Sequence, residues 1–177
     1  MKLSALILIP TISSLLVALS AAPKKPIMSW PPASETNYVD VDKFDLDPDL
    51  EITLWAKSPL FYNPTNMSID PKGRIWVTEG VNYREKLGIR RNAGDRIMVL
   101  IDTDQDGKAD QSKVFLQDPY LESPLGISVF DNKIIISQPP DIVIYTDVNR
   151  DLKFDPKIDK KEILLTGFNG RQHDHSL

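Results

Sequence analysis

The chain has 177 residues, 41% of them hydrophobic and 26% charged, which is enough to bury one ordinary core and is a globular rather than a disordered composition. Its mild formal net charge of −4 argues against a nucleic-acid-binding surface, which needs a basic face to neutralise phosphates. The absence of cysteine removes every thiolate-based metal, haem or nucleophile site from this stretch. An exported chain of this kind must be held by its sheets or by bound ions rather than by disulfides.

Met1 and Lys2 precede LSALILIPTISSLLVALSAA, a charged start, an apolar centre and a small-residue end that read as a secretory signal over residues 1–20. Pro10 and the serines interrupt the roughly 20 well-packed apolar residues that a lasting membrane span needs. Cleavage near Ser20 would start the mature chain near Ala21 and make it secreted or periplasmic, with envelope association as the alternative. Residues 21–43 read as an extended leader, with four prolines between positions 23 and 36 and no periodicity.

From Phe44 onward the pattern is β, and residues 44–177 form one unit. Leu50-Glu51-Ile52-Thr53-Leu54-Trp55 alternates apolar and polar residues, as a strand with one buried face should. No window has helical periodicity, and Gly, Pro, Asn and Asp interrupt the chain every few residues, so the expected class is all-β. Trp55 and Trp76 have apolar neighbours at strand spacing and are expected in the core.

The run RIMVLIDTDQDGKADQSKVFL, from Arg96 to Leu116, joins a strand to an acidic loop and a second strand. Asp102, Asp104, Asp106, Gly107 and Asp110 stand at positions 1, 3, 5, 6 and 9 of a calcium-wrapping loop. Alternate carboxylates with a glycine at the sharp turn supply the hard oxygen ligands that cation takes. Asp102, Asp104, Asp106 and Asp110, with the carbonyl of Lys108, are therefore the expected ligands. Position 12 is Lys113 inside a strand-like run, so this is a strand-loop-strand relative of the helix-flanked motif.

The unit returns at Asp141 to Leu165, DIVIYTDVNRDLKFDPKIDKKEILL. Aligning Asp102 with Asp147 sets Asp104 on Asn149, Asp106 on Asp151 and Asp110 on Asp155. Leu152 replaces the glycine, and Arg150, Lys153 and Lys157 are expected to neutralise this second loop. Upstream of each copy lies a matching strand pair, Asn66 to Glu79 around the turn Asp70-Pro71-Lys72-Gly73, and Leu125 to Gln138 around Asp131-Asn132. Repeats of about 40–50 residues with four strands each are the signature of propeller blades. The expected fold is a partial β-propeller of about two blades and the start of a third at Gly167 to Leu177. A ring needs about four to eight blades, so the chain reads as part of a larger one.

The segments Arg74-IWVTE, Tyr83-Arg84, Asp95-RIMVLIDTDQDG, Pro124-LGI, Gln138-PPDIVIYTD and Leu165-TGFNGRQHDHSL resemble the N-terminal propeller of the membrane-bound dehydrogenase family of planctomycete-type bacteria. Its members are large secreted proteins, often with a C-terminal c-type haem domain. More remotely, the chain is similar to the soluble glucose and sorbosone dehydrogenases, propellers that use pyrroloquinoline quinone. The resemblance implies oxidation of a hydroxyl or aldehyde group of a small sugar or alcohol, with a His before an inner strand taking the hydroxyl proton. His175 or His173 would be that catalytic base, a role suited to a side chain that titrates near neutrality. Arg84 and Gln172 are the candidate cofactor contacts. Glu79, Tyr83 and Arg84 follow a strand at the blade mouth, where a local ion pair of Glu79 with Arg84 competes with a cofactor role. A non-enzymatic envelope propeller that binds glycans or proteins is the alternative reading of the whole.

Overall fold

A computed structural model describes residues 40–83 and 91–168. The expected signal at 1–20, nearly all of the leader, Arg84, Gln172, His173 and His175 lie outside these residues. After a single 3-10 turn at Val41–Lys43, eight strands follow in order: β1 (Pro64–Ile69), β2 (Ile75–Glu79), β3 (Arg96–Ile101), β4 (Gln111–Gln117), β5 (Gly126–Phe130), β6 (Lys133–Gln138), β7 (Asp141–Thr146) and β8 (Lys160–Thr166). They form two four-stranded sheets, β1-β2-β3-β4 and β5-β6-β7-β8, with every pair antiparallel. The all-β expectation holds, and each sheet coincides with one sequence repeat, as successive propeller blades do.

The repeat extends to register. Ser68 pairs with Trp76 in the first sheet as Ser128 pairs with Ile135 in the second. A bulge interrupts β3–β4 between Ile97 and Met98, and another interrupts β7–β8 between Ile142 and Val143, at the equivalent step. An extra residue on one strand lets two successive side chains lean to one face. In β4 these are Phe115 and Leu116, both buried.

One core joins the sheets. Trp76, Ile97, Val99, Phe115 and Leu116 of the first pack with Ile134, Ile136, Val143 and Tyr145 of the second. Phe154, in the β7–β8 loop, stands edge-on to both Phe115 and Tyr145, at centroid distances of 6.3 and 5.1 Å, and its N–H donates to the Phe115 carbonyl. Polar groups of β1 stitch the innermost strands together: Val129 N–H donates to Ser68 Oγ, and the side chains of Thr65 and Asn66 donate to the carbonyls of Pro124 and Leu125.

Residues 50–55 differ from expectation, because they form no strand. Trp55, Ala56, Leu60 and Phe61 instead lie flat on the outer face of the first sheet, over Val77, Met98 and Leu100. The segment's backbone is tied to the loop between β3 and β4 by the bond from Ala109 N–H to the Trp55 carbonyl. The alternation in this stretch reports one buried face, which a covering segment satisfies as well as a strand does.

The first hairpin turns on Asp70. Its carboxylate accepts the N–H groups of Lys72 and Arg74, Arg74 Nε at 2.6 Å and Trp76 Nε1 at 3.0 Å. Burial pushes its pKa up, but the bonds from Trp76, Arg74 and Lys72 outweigh that and hold it below the ordinary value. A carboxyl depressed in the folded state adds stability above its unfolded pKa and loses it as pH falls through the folded one. Asp70→Asn should therefore cost about 1.5–3 kcal/mol at neutral pH. In urea titrations the gap to the unmodified protein should close as pH falls below the ordinary Asp value of about 3.9.

Candidate functional site

The strands carry their chemistry at two opposite ends of the sheets. One end holds the β1–β2 and β5–β6 turns and the loops after β3 and β7. The other holds the β2–β3 connector and the link from β4 to β5.

At the first end, the loop after β3 folds around its own aspartates. Asp102 accepts the N–H groups of Gln105 and Gly107, Asp104 that of Asp106, and Asp106 that of Lys108. An oxygen from each of Asp102, Asp104 and Asp106 lies within 4.8 Å of the others. Asp110 stands apart from this group, because its two oxygens accept the N–H and hydroxyl of Thr103. Lys108 borders a groove of about 430 Å³ between this loop and Leu54, Trp55 and Leu60.

The second loop preserves the shape with different chemistry. Asp147 accepts the N–H of Leu152 as Asp102 accepts that of Gly107, and takes its second bond from Asp151 N–H where Asp102 takes it from Gln105 N–H. Leu152 holds a φ of +68°, close to the +85° of Gly107, although a left-handed backbone costs a side-chain-bearing residue about 1–2 kcal/mol. Leu152 offsets that cost by packing against the shared core. Two expectations change here. The counterpart of Asp110 is Asp159 rather than Asp155, since Asp159 accepts Val148 N–H as Asp110 accepts Thr103 N–H. Four more residues in the second loop make the shift, coiled into a turn by the bond from Asp159 N–H to the Asp155 carbonyl. Arg150 pairs with Asp131 in the neighbouring hairpin, at 2.6 Å, rather than with a carboxylate of its own loop.

At the opposite end the dominant group is Glu79, which is fully buried. Its oxygens accept Tyr62 N–H at 2.8 Å, Arg91 at 2.5 Å and both Nε and Nη2 of Arg96 at 2.7 Å. Arg96 also lies over the Tyr62 ring. Beside it, buried Asp95 takes the N–H groups of Asn82 and Ser123, which pins the connector to the β4–β5 link. Burial pushes the Asp95 pKa up, against the hydrogen bonds from Ser123 and Asn82 that lower it. The ion-pair partners of Glu79 among the described residues are thus Arg91 and Arg96. A carboxylate closing an apolar strand of this kind needs a charge partner, and that was the available signal.

The second sheet is oriented in the same way. Thr166, the last residue of β8, pairs with Asp141, which pairs with Gln138, the counterpart of Glu79. The strand therefore leaves the sheet at the Glu79 end. Tyr120 donates its hydroxyl to Asp141, and this bond raises the tyrosine pKa to about 12.

Glu79→Gln should remove the charge that compensates two partly buried guanidinium groups. Breaking such a buried arrangement costs about 3–5 kcal/mol. The measurement is the denaturation midpoint, and a shift equivalent to less than about 1 kcal/mol, the range of exposed pairs, would contradict the geometry.

A comparison with curated proteins finds no match. Among solved structures, the iodide structure of Trichoderma reesei Carbohydrate-Active Enzymes Family AA12 is similar at 17% identity and a TM-score of 0.40, over 56% of this chain. The chain spans 22% of that protein's length. A family model described as "Domain of unknown function (DUF7133)" matches residues 38–177 and takes in both sheets, so the chain belongs to that family.

Proposed function

We propose that the chain is part of a secreted, calcium-binding propeller oxidoreductase of the quinone-dependent kind, acting on a hydroxyl or aldehyde group of a small sugar or alcohol. The observation that carries the reading is the exit of β8 at the Glu79 end, where the connector and link residues converge. His173 and His175 follow that strand in sequence, so a base drawn from them would start from the end where rigid strands deliver loops. Sites held by loops on a sheet scaffold are a common arrangement.

Arg91 and Arg96 both bond to Glu79 and do not fit the role of cationic anchors for a quinone's carboxylates. Arg84 and Gln172 remain the candidate contacts, with c-type haem in the same polypeptide as the candidate electron acceptor. His175→Ala should lower quinone-dependent turnover by about 10²–10⁴-fold, the usual cost of a general base, and leave the melting temperature unchanged. Equal turnover would move the role to His173. If pyrroloquinoline quinone fails to quench protein fluorescence and drives no turnover, the non-enzymatic glycan- or protein-binding reading replaces this one.

Calcium is proposed at Asp102, Asp104 and Asp106. Three converging carboxylates repel one another, and a divalent cation removes that cost. Asp110 would act through Thr103, holding the loop rather than touching the ion. At a hundredfold excess over Kd, binding to the folded state adds about 2.7 kcal/mol. Asp102→Ala with Asp106→Ala should erase a calcium-dependent rise in melting temperature, and Asp147→Ala should leave that rise in place. A melting temperature indifferent to calcium and chelator in the unmodified protein would reduce the loop to an acidic turn.

A further inference from the structure

The segment that covers the first sheet and the loop after β3 enclose a groove of about 430 Å³ between them, at the end opposite Glu79. Leu54, Trp55 and Leu60 line it from the covering segment and Ala109 from the loop, and the charged side chains in its lining are Lys57 and Lys108. Small-molecule sites have this character: about 300–1,000 Å³, mostly apolar and aromatic walls, and a few polar groups that fix orientation.

The groove is held open by bonds that need no ligand. Ala109 N–H donates to the Trp55 carbonyl at 2.7 Å and clamps the two walls to each other. Leu60 N–H donates to the Lys57 carbonyl and Ser58 Oγ to the Phe61 carbonyl at 2.9 Å, which closes the turn on the covering side. Leu60 and Trp55 also pack over Val77, Met98 and Leu100, so that wall rests on the sheet. A preformed site loses little binding energy to ordering.

Charge around the groove is sorted. From Asp102 to Asp110 the loop carries four carboxylates and one ammonium, yet none of the carboxylates lines the groove and Lys108 does. Asp102, Asp104 and Asp106 accept N–H groups inside the loop, and Asp110 holds Thr103. Apolar walls with positive charge alone in their lining match an apolar body that carries one anionic group. A cation would meet like charge there. A sugar would bury hydroxyls against walls with few partners for them, which is unfavourable.

We infer that the groove binds a small amphipathic carboxylate, an aryl or alkyl acid whose apolar body lies along Leu54, Trp55 and Leu60 and whose carboxylate meets Lys108. Burial of the apolar body supplies the affinity, and Lys108 supplies the preference for an anion. The inference is independent of the oxidoreductase reading and of the calcium site.

The test titrates the full chain with 2-naphthoate and with 2-naphthylmethanol, which share a ring system and differ in charge, by calorimetry and by NMR of labelled leucine methyls. Naphthoate should bind once per chain and about fivefold more tightly than the alcohol, the upper range of an exposed ion pair. It should shift the methyls of Leu54 and Leu60 and leave those of Leu121, in the core between the sheets, in place. Lys108→Glu should weaken naphthoate at least fivefold and leave the alcohol within twofold, a difference between two ligands on one protein that a folding defect cannot imitate. Absence of saturable naphthoate binding would overturn the inference. So would equal affinities for the two ligands, methyl shifts confined to Leu121, or an unchanged naphthoate affinity in Lys108→Glu.

Discussion

The interlock of Trp76, Phe115, Phe154 and Tyr145 is the constraint on which the two sheets depend. These rings come from β2, β4, the β7–β8 loop and β7, so no one repeat can assemble the cluster alone. Isolated four-stranded sheets of this size have too little core to stand by themselves, and stacking neighbours is how repeat units bury a continuous one. Packing of the rings fixes the distance between the sheets. The bonds from β1 to the Pro124 and Leu125 carbonyls and from Val129 N–H to Ser68 then fix their registration at the innermost strands.

Rigid placement of the sheets sets up the division of labour between their ends. At one end, compact aspartate-capped turns need only short-range backbone donors, so Asp102 and Asp147 hold their loops by the same two-bond device despite different sequences. At the other, long connectors must be tied down by buried charges. Glu79 receives four bonds and Asp95 bridges the connector to the inter-sheet link. Buried carboxylates need this degree of satisfaction because an unpaired one in a low-dielectric setting is strongly unfavourable.

Coverage of the two outer faces is unequal, and that gives the pair of sheets a direction. Trp55 to Phe61 close the first face with a segment that is not a strand, packed over Val77, Met98 and Leu100 of its middle strands. The second sheet has no such cover among the described residues and repeats the apolar code of the first.

Much was legible in the sequence because it depends on local chemistry. Strand alternation, the Asp-Gly and Asp-Asn turns and the recurrence of Asp102 at Asp147 are short-range signals, and they were enough for the all-β class, the eight strands from β1 to β8 and their grouping into two four-stranded units. Tertiary structure decided the rest, because it depends on partners distant along the chain. It made residues 50–55 a cover rather than a strand, since one-sided burial produces the same alternation in either. It gave Glu79 to Arg91 and Arg96, which approach it only when β2 and β3 pair. It matched Asp110 with Asp159 across a four-residue insertion that linear alignment cannot place. Leu152 keeps the left-handed backbone of a missing glycine because its side chain reaches a core built by the other sheet.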